Sequence, residues 1–191
     1  MSDLSRDPWV DVTTANGFPA DHVISALQKE IRRSNAENAA LLAYEMVITS
    51  PALEDYLWYR LMVIAVEDIG FGEPQAPIMI NALNQMLSNF DRSVGERKLF
   101  AIHAVRYLCR CQKDRASDEM AIWIKRAVES GEARAHIPEY ALDMHTAVGQ
   151  QKGRGRSHFF HEAAKTSPAH PDRETTYRER IMTMLEKGQL K

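Results

Sequence analysis

The stretch Ser50-Pro51-Ala52-Leu53-Glu54-Asp55-Tyr56-Leu57-Trp58-Tyr59-Arg60-Leu61-Met62-Val63-Ile64-Ala65-Val66-Glu67-Asp68-Ile69-Gly70 decides the fold class. Serine followed by proline is a helix start. The serine side chain accepts from the open N–H groups of the first turn, and proline at the first helical position lacks an N–H that would have no helical partner. Leu57, Leu61, Ile64 and Asp68 then recur at intervals of three and four, which lines one face of an α-helix. Gly70 ends the run, because glycine readily takes the left-handed conformation that closes a helix.

Working outward, the same signals repeat. Upstream, Asp21 precedes Val23, Ile24, Leu27 and Ile31 at helical spacing. Ser34 with Glu37 reads as a capping box that opens an alanine-rich helix. Downstream, Pro74 opens a segment carrying Met79, Ala82, Leu83 and Met86, and another helix spans about Val94 to Cys111. Ser117 is read as the cap of a further helix with Met120, Trp123, Ile124, Ala127 and Val128 on its apolar face, ended by Gly131. No alternating run of β-branched residues interrupts this series. The fold class is all-α, a bundle or right-handed array whose short connections imply antiparallel neighbours.

This reading gives residues 1–19 as an N-terminal arm, pinned to the body by Trp9 and Phe18. Residues 20–165 form the helical domain, with a Gly/Arg-rich loop near 149–158. Residues 166–191 form a linker and a last amphipathic helix, about Arg173 to Lys187, carrying Tyr177, Ile181, Met184 and Leu185. Within the domain, residues 132–171 read as a long loop around one or two helical turns, ordered because Phe159 and Phe160 need burial.

Composition bounds the function classes. The chain has 191 residues, 45% of them apolar and 26% charged, and a formal charge of -2. That is enough chain to bury a core without a disulfide or metal. It provides no global basic field, so any nucleic-acid contact must come from a local patch. Cys109 and Cys111 fall on nearly opposite sides of a helix and do not suit a mutual disulfide. No secretory leader and no apolar run of about 20 residues is visible, so a soluble, cytoplasmic protein is expected.

Four constellations are candidates for chemistry. Arg60, Glu67 and Asp68 share one helix, with Asp68 on the apolar stripe, where a carboxylate must be paired. They read as a structural network rather than a metal or acid/base site, since two adjacent carboxylates lack further ligands. His103 and Arg106 share a helical face and are expected to join that network. Lys152, Arg154, Arg156 and His158 lie among Gly153 and Gly155, where open backbone N–H groups and arginine forks suit a phosphate, a nucleic acid or an acidic partner. The Gly-Lys-Ser/Thr ending of a nucleotide-binding P-loop is absent. Finally, Asp143 and His145, with His158, His161 and His170 nearby, offer an alternative reading as a small hydrolase or nucleotide-handling enzyme. No His-Glu-x-x-His or Gly-x-Ser-x-Gly pattern supports that reading. No metal and no cofactor is expected.

The run Ser25-Ala26-Leu27-Gln28-Lys29-Glu30-Ile31-Arg32-Arg33-Ser34, then Asn38-Ala39-Ala40-Leu41, Arg60-Leu61, Ala65-Val66-Glu67-Asp68-Ile69-Gly70 and Glu73-Pro74-Gln75-Ala76, resembles the C-terminal helical domain of the replication-associated recombination protein A family. These are AAA+ ATPases related to the eukaryotic Werner-helicase-interacting protein. Ile137-Pro138 and the Lys152–Phe160 segment resemble the end of the same domain more loosely, so the likeness covers roughly residues 21–160. It implies a domain similar to a clamp-loader collar that mediates tetramer formation. The partners it implies are a homo-oligomer, DNA or a replication or repair protein, or a full-length AAA+ relative. The ATPase motifs of that family have no counterpart in this sequence, so none of its catalytic residues carries over. Beginning at Met1, the chain is expected to be a standalone relative acting as a non-catalytic scaffold.

Overall fold

The computed structural model describes residues 7–190, and among them every regular element is helical apart from one isolated bridge between Thr13 and Pro19. The described residues separate into two compact units, one ending at Glu132 and one beginning at Ala133. The boundary follows the turn that ends the sixth helix, well ahead of residue 165.

The first unit contains α1 (Ala20–Arg32), α2 (Ala36–Thr49), α3 (Pro51–Ile64), α4 (Ala76–Met86), α5 (Glu96–Arg110) and α6 (Ala116–Glu129). Ser50 caps α3, its hydroxyl accepting from the Leu53 N–H at 3.2 Å, with Pro51 next to it. The Leu53, Leu57, Leu61 and Ile64 side chains are fully buried, so the stripe read from the sequence is the core face. α2 lies in the middle, against α1, α3 and α5. Its buried residues include the small Ala39 and Ala43, and those of α5 include Ala101 and Ala104, which lets the helices approach closely. α1 also packs on α5, a long-range pairing that makes this a bundle rather than a one-dimensional array of neighbours. Cys109 belongs to this core, and burial pushes its thiol up to about 11, so it is inert as a nucleophile at neutral pH.

Two helix starts differ from the sequence reading. Ser34 is not the cap of α2. It takes φ +63, its N–H reaching Ile31 O while the Asn35 N–H reaches Glu30 O. That pair of bonds is the left-handed closure of α1, so Ser34 ends one helix instead of starting the next. Ser117 likewise lies inside α6. The turn before it is held by Asp114, whose carboxylate accepts from the Ala116 N–H at 2.9 Å.

The N-terminal segment is anchored by hydrogen bonds more than by aromatic packing. The Glu45 carboxylate on α2 accepts from both the backbone and the side-chain amide of Asn16, and the Thr49 hydroxyl accepts from Ala15 N–H. Burial pushes the Glu45 carboxyl up, but bonds with Thr14 and Asn16 outweigh it and hold it below its ordinary value. Trp9 packs on Tyr56 with ring centroids 5.0 Å apart. Phe18 is more than half exposed.

The second unit is built differently. It contains α7 (Ala147–Gln151), α8 (Arg156–His158) running on as a π-turn over Phe159–Ala163, and α9 (Thr176–Glu186). Asp143 and Gly149 are its only buried residues among those described. Phe159 and Phe160 meet edge to face at 5.2 Å but are only half-buried.

Candidate functional site

The polar hub of the first unit forms where α3 overruns its regular hydrogen bonding. Residues Ala65–Ile69 make a π-turn, and Gly70 (φ +51) and Gly72 follow. Both glycines lie against backbone. A Cβ on Gly70 would collide with Asp114 O, and one on Gly72 would sit 2.5 Å from Gln112 O. Asp114 N–H in turn donates to Asp68 O and Ile69 O at 3.1 Å. This close approach brings the segment before α6 onto the end of α3 and delivers Arg115 to the carboxylates.

Asp68 is 0% exposed and accepts three hydrogen bonds. Arg32 Nε and Arg115 Nη1 each donate to Oδ1 at 2.5 Å, and Gln28 Nε2 donates to Oδ2 at 2.9 Å. Glu67 accepts from Gln28 at 2.8 Å and from Arg32 and Arg115 at 3.4 and 3.3 Å. Arg60 donates to Gln28 Oε1 at 2.5 Å and so reaches the carboxylates through that amide. Arg115 also pairs with Asp118 in the first turn of α6. Burial pulls the Arg115 guanidinium down, but its bonds to Asp68 and Glu67 outweigh this and raise it. Three arginines therefore face three carboxylates in one balanced cluster that joins α1, α3 and α6. Every carboxylate of the cluster is engaged by a cation.

The sequence placed Arg60, Glu67 and Asp68 together, and the structure joins them, Arg60 through Gln28. His103 and Arg106 do not enter the cluster. They point into a separate depression of about 370 Å3 on α5, lined also by Glu73, Tyr107, Arg110 and Cys111. The cations that do reach Asp68 were missed. Arg32 lies one turn beyond Gln28 on α1, which marks a shared face, but nothing local to Arg115 points toward Asp68.

Beside the hub runs an apolar groove of about 520 Å3 between α3 and α6, lined by Tyr59, Met62, Val63, Val66 and Ala121. α6 itself buries only Ala127. Met120, Ile122, Trp123, Ile124 and Val128 are all exposed.

In the second unit the Gly/Arg loop folds back on itself. Arg154 donates to the carbonyls of Glu139 and Leu142, both at 2.7 Å, and to the Glu139 carboxylate at 2.5 Å; its side chain is 17% exposed. Lys152 pairs with the same carboxylate at 2.6 Å. These two contacts, Lys152 first, hold the Glu139 carboxyl below its ordinary value. Gly153 (φ +67) closes α7, with Gly153 N–H on Gln150 O and Arg154 N–H on Gly149 O. Arg156 opens α8, and His158 packs half-buried two residues on. Asp143 and His145 form a turn. Asp143 accepts from the His145 backbone N–H at 2.9 Å and meets Nδ1 at 3.1 Å, and these bonds lower its carboxyl. The turn continues into Thr146, which caps α7 through Gly149 N–H. Gly149 is required there, since a Cβ would collide with the Asp143 and Leu142 carbonyls. Among the described residues no three His, Cys, Asp or Glu side chains converge as a metal site.

Comparison with known proteins places this architecture. The replication-associated recombination protein A of Bacillus subtilis (strain 168) is 37% identical over 140 residues, covering 70% of this chain and 30% of that protein. The protein of the same name from Escherichia coli (strain K12) is 29% identical over 153 residues, covering 77% of this chain and 32% of that protein. The chain thus spans about a third of the length of the curated relatives it matches. Residues 34–180, which include the hub carboxylates, α6 and the second unit into α9, match the family described as MgsA AAA+ ATPase C terminal. This chain belongs to that family.

Proposed function

We propose that this chain is a non-catalytic oligomerisation module serving replication- and recombination-associated AAA+ ATPases, and that copies meet on α6 and the groove beside it. The observation that carries this reading is the exposure of α6. Trp123 is 57% exposed and Met120 62%, with Ile122, Ile124 and Val128 similarly open. Fully burying one such side chain is worth about 1.5–3 kcal/mol, so a helix presenting Met120, Trp123, Ile124 and Val128 in one turn-to-turn series is suited to a partner surface. The hub makes that surface rigid. Arg115 and Asp118 fix the first turn of α6 to Asp68 and Glu67, so the apolar residues project from a held helix.

The occupant is a second copy of this chain, with a tetramer as the favoured stoichiometry, and a full-length relative sharing the same surface is an equivalent partner. The relatives' name, replication-associated recombination protein A, supports a role tied to replication and recombination; the partners proposed with it are DNA or a replication or repair protein, in the cytoplasm. The Gly/Arg loop has weaker support as the contact, because Lys152 and Arg154 are already committed to Glu139.

Light scattering over a concentration series tests this. The wild-type chain should show a stable multimer. Trp123→Ala should weaken assembly by about thirtyfold or more, the scale of an aromatic interface anchor. A wild-type chain that stays monomeric at about 100 μM, or a Trp123→Ala mass profile identical to wild type, overturns the assignment.

A further inference from the structure

We infer that the exposed face of α5 carrying His103, Arg106 and Arg110 is a binding site for the phosphodiester backbone of single-stranded nucleic acid. These residues sit three and four apart, on one helical face, and all are exposed. They line a single open depression of about 370 Å3. Among the described residues, none of the three has a hydrogen-bond or ion-pair partner. That sets them apart from the other clustered cations. Arg32 and Arg115 are held by Asp68, Arg92 and Arg97 by Glu54, and Lys152 and Arg154 by Glu139.

The layout favours a strand over a compact anion. Seven residues of helix separate His103 from Arg110, about 10 Å of rise, so the donors form a row rather than a pocket converging on one group. Such a row can follow successive phosphates along one strand. Arginine's planar fork suits each of them. Glu73 also lines the depression and opposes an anion, but its one carboxylate faces two permanently charged guanidinium groups. Aromatic rings complete the surface. Tyr107 lines the depression, and Phe71 is 76% exposed on the Gly70–Gly72 turn, whose backbone packs against Gln112–Asp114 directly after α5. A half-buried ring lining the cationic depression and an exposed ring on the adjoining turn are elements of sequence-tolerant strand binding. An acidic peptide would use the cations but gain little from the rings.

The test is fluorescence anisotropy of a labelled twenty-nucleotide oligo-dT with the full chain, at two salt concentrations. Light scattering on each variant separates loss of binding from loss of assembly. R106E/R110E should weaken binding at least tenfold and reduce the salt slope by about 1.4, the contribution of two phosphates. Phe71→Ala should weaken it about fivefold. The control R134E/K187E makes the same charge change at exposed residues elsewhere and should cost less than twofold. Equal losses in both double variants would show a general charge effect and overturn the site. So would a wild-type chain that ignores oligo-dT, whether it binds an oligo-glutamate peptide at this face or binds neither probe.

Discussion

The two units of this chain solve the same problem by opposite means. The unit ending at Glu132 buries a continuous set of Leu, Ile, Val and Ala side chains, and its charged hub is laid onto that core. The unit beginning at Ala133 buries only Asp143 and Gly149 among its described residues, and holds its turns with hydrogen bonds from Arg154, Thr146 and Arg178. Apolar burial is the main term that offsets chain entropy. A unit of this size without it rests on a few polar contacts, each worth far less than a buried leucine. Arginine therefore has two jobs here. In the first unit it neutralises a carboxylate the core has already enclosed. In the second it is itself the closest thing to a core.

The contrast is broken most directly at Asp68. Asp68→Ala removes the buried carboxylate that both Arg32 and Arg115 address and leaves these partly exposed guanidinium groups to Glu67 and Asp118. Losing charge-assisted hydrogen bonds to a buried carboxylate costs about 1.5–3 kcal/mol. Urea unfolding of the first unit should shift by that amount, and α6 should lose its fixed first turn. A loss below about 1 kcal/mol would mean that the hub is not enclosed as described.

Arg154→Ala tests the other side. Its two carbonyl contacts and its bond to Glu139 span the second unit, so local opening should become about tenfold more frequent. Amide exchange should rise across α7 and α8 and stay unchanged in α1 to α5. A change spread evenly over both units would erase the distinction. Acid makes the same cut more gently. The Glu139 carboxyl is lowered in the folded state by Lys152 and Arg154. A depressed carboxyl adds stability that is complete above its unfolded value of about 4.3 and fades as pH falls through the lower folded one. Protection of α7 should therefore decline below about pH 4, while the Leu57 and Leu61 core persists to lower pH. A pH-independent α7 down to pH 3 would remove Glu139 from the account.

How far the sequence discloses each unit follows from the same physics. The α3 stripe and the Ser50-Pro51 start are local signals, and local signals are legible because helix periodicity repeats within a few residues. The hub was half legible. Asp68 on an apolar stripe demands a partner, but which cation answers is set by the close approach of Gly70 and Gly72 to Gln112–Asp114, a contact between distant segments. His103 and Arg106 were reasonable candidates by spacing, and α5 turns them elsewhere. The Gly/Arg loop reads as a candidate binding loop because glycines and arginines in a row have the composition of an anion cradle. Glu139, thirteen residues before Lys152, closes it.

The smallest effect compares one conformation in both units. Ser34 (φ +63) ends α1 and Gly153 (φ +67) ends α7, with the same two backbone bonds in each case. The left-handed region costs a residue with a Cβ roughly 1–2 kcal/mol, and glycine avoids this while adding about 0.5–1 kcal/mol of unfolded-chain freedom. The net favours glycine at both positions by about 0.5–1 kcal/mol. Ser34→Gly should raise the stability of the first unit by that amount in urea unfolding. Gly153→Ser should lower protection of α7 by a similar amount, read by amide exchange. The first change lands on a unit with a large core and should alter only its midpoint. The second lands where little else holds the chain, so the same few tenths to one kcal/mol should be visible as local opening. If Gly153→Ser leaves α7 exchange unchanged, the second unit has a source of stability besides its hydrogen bonds, and the partner surface on which it rests becomes the next thing to find.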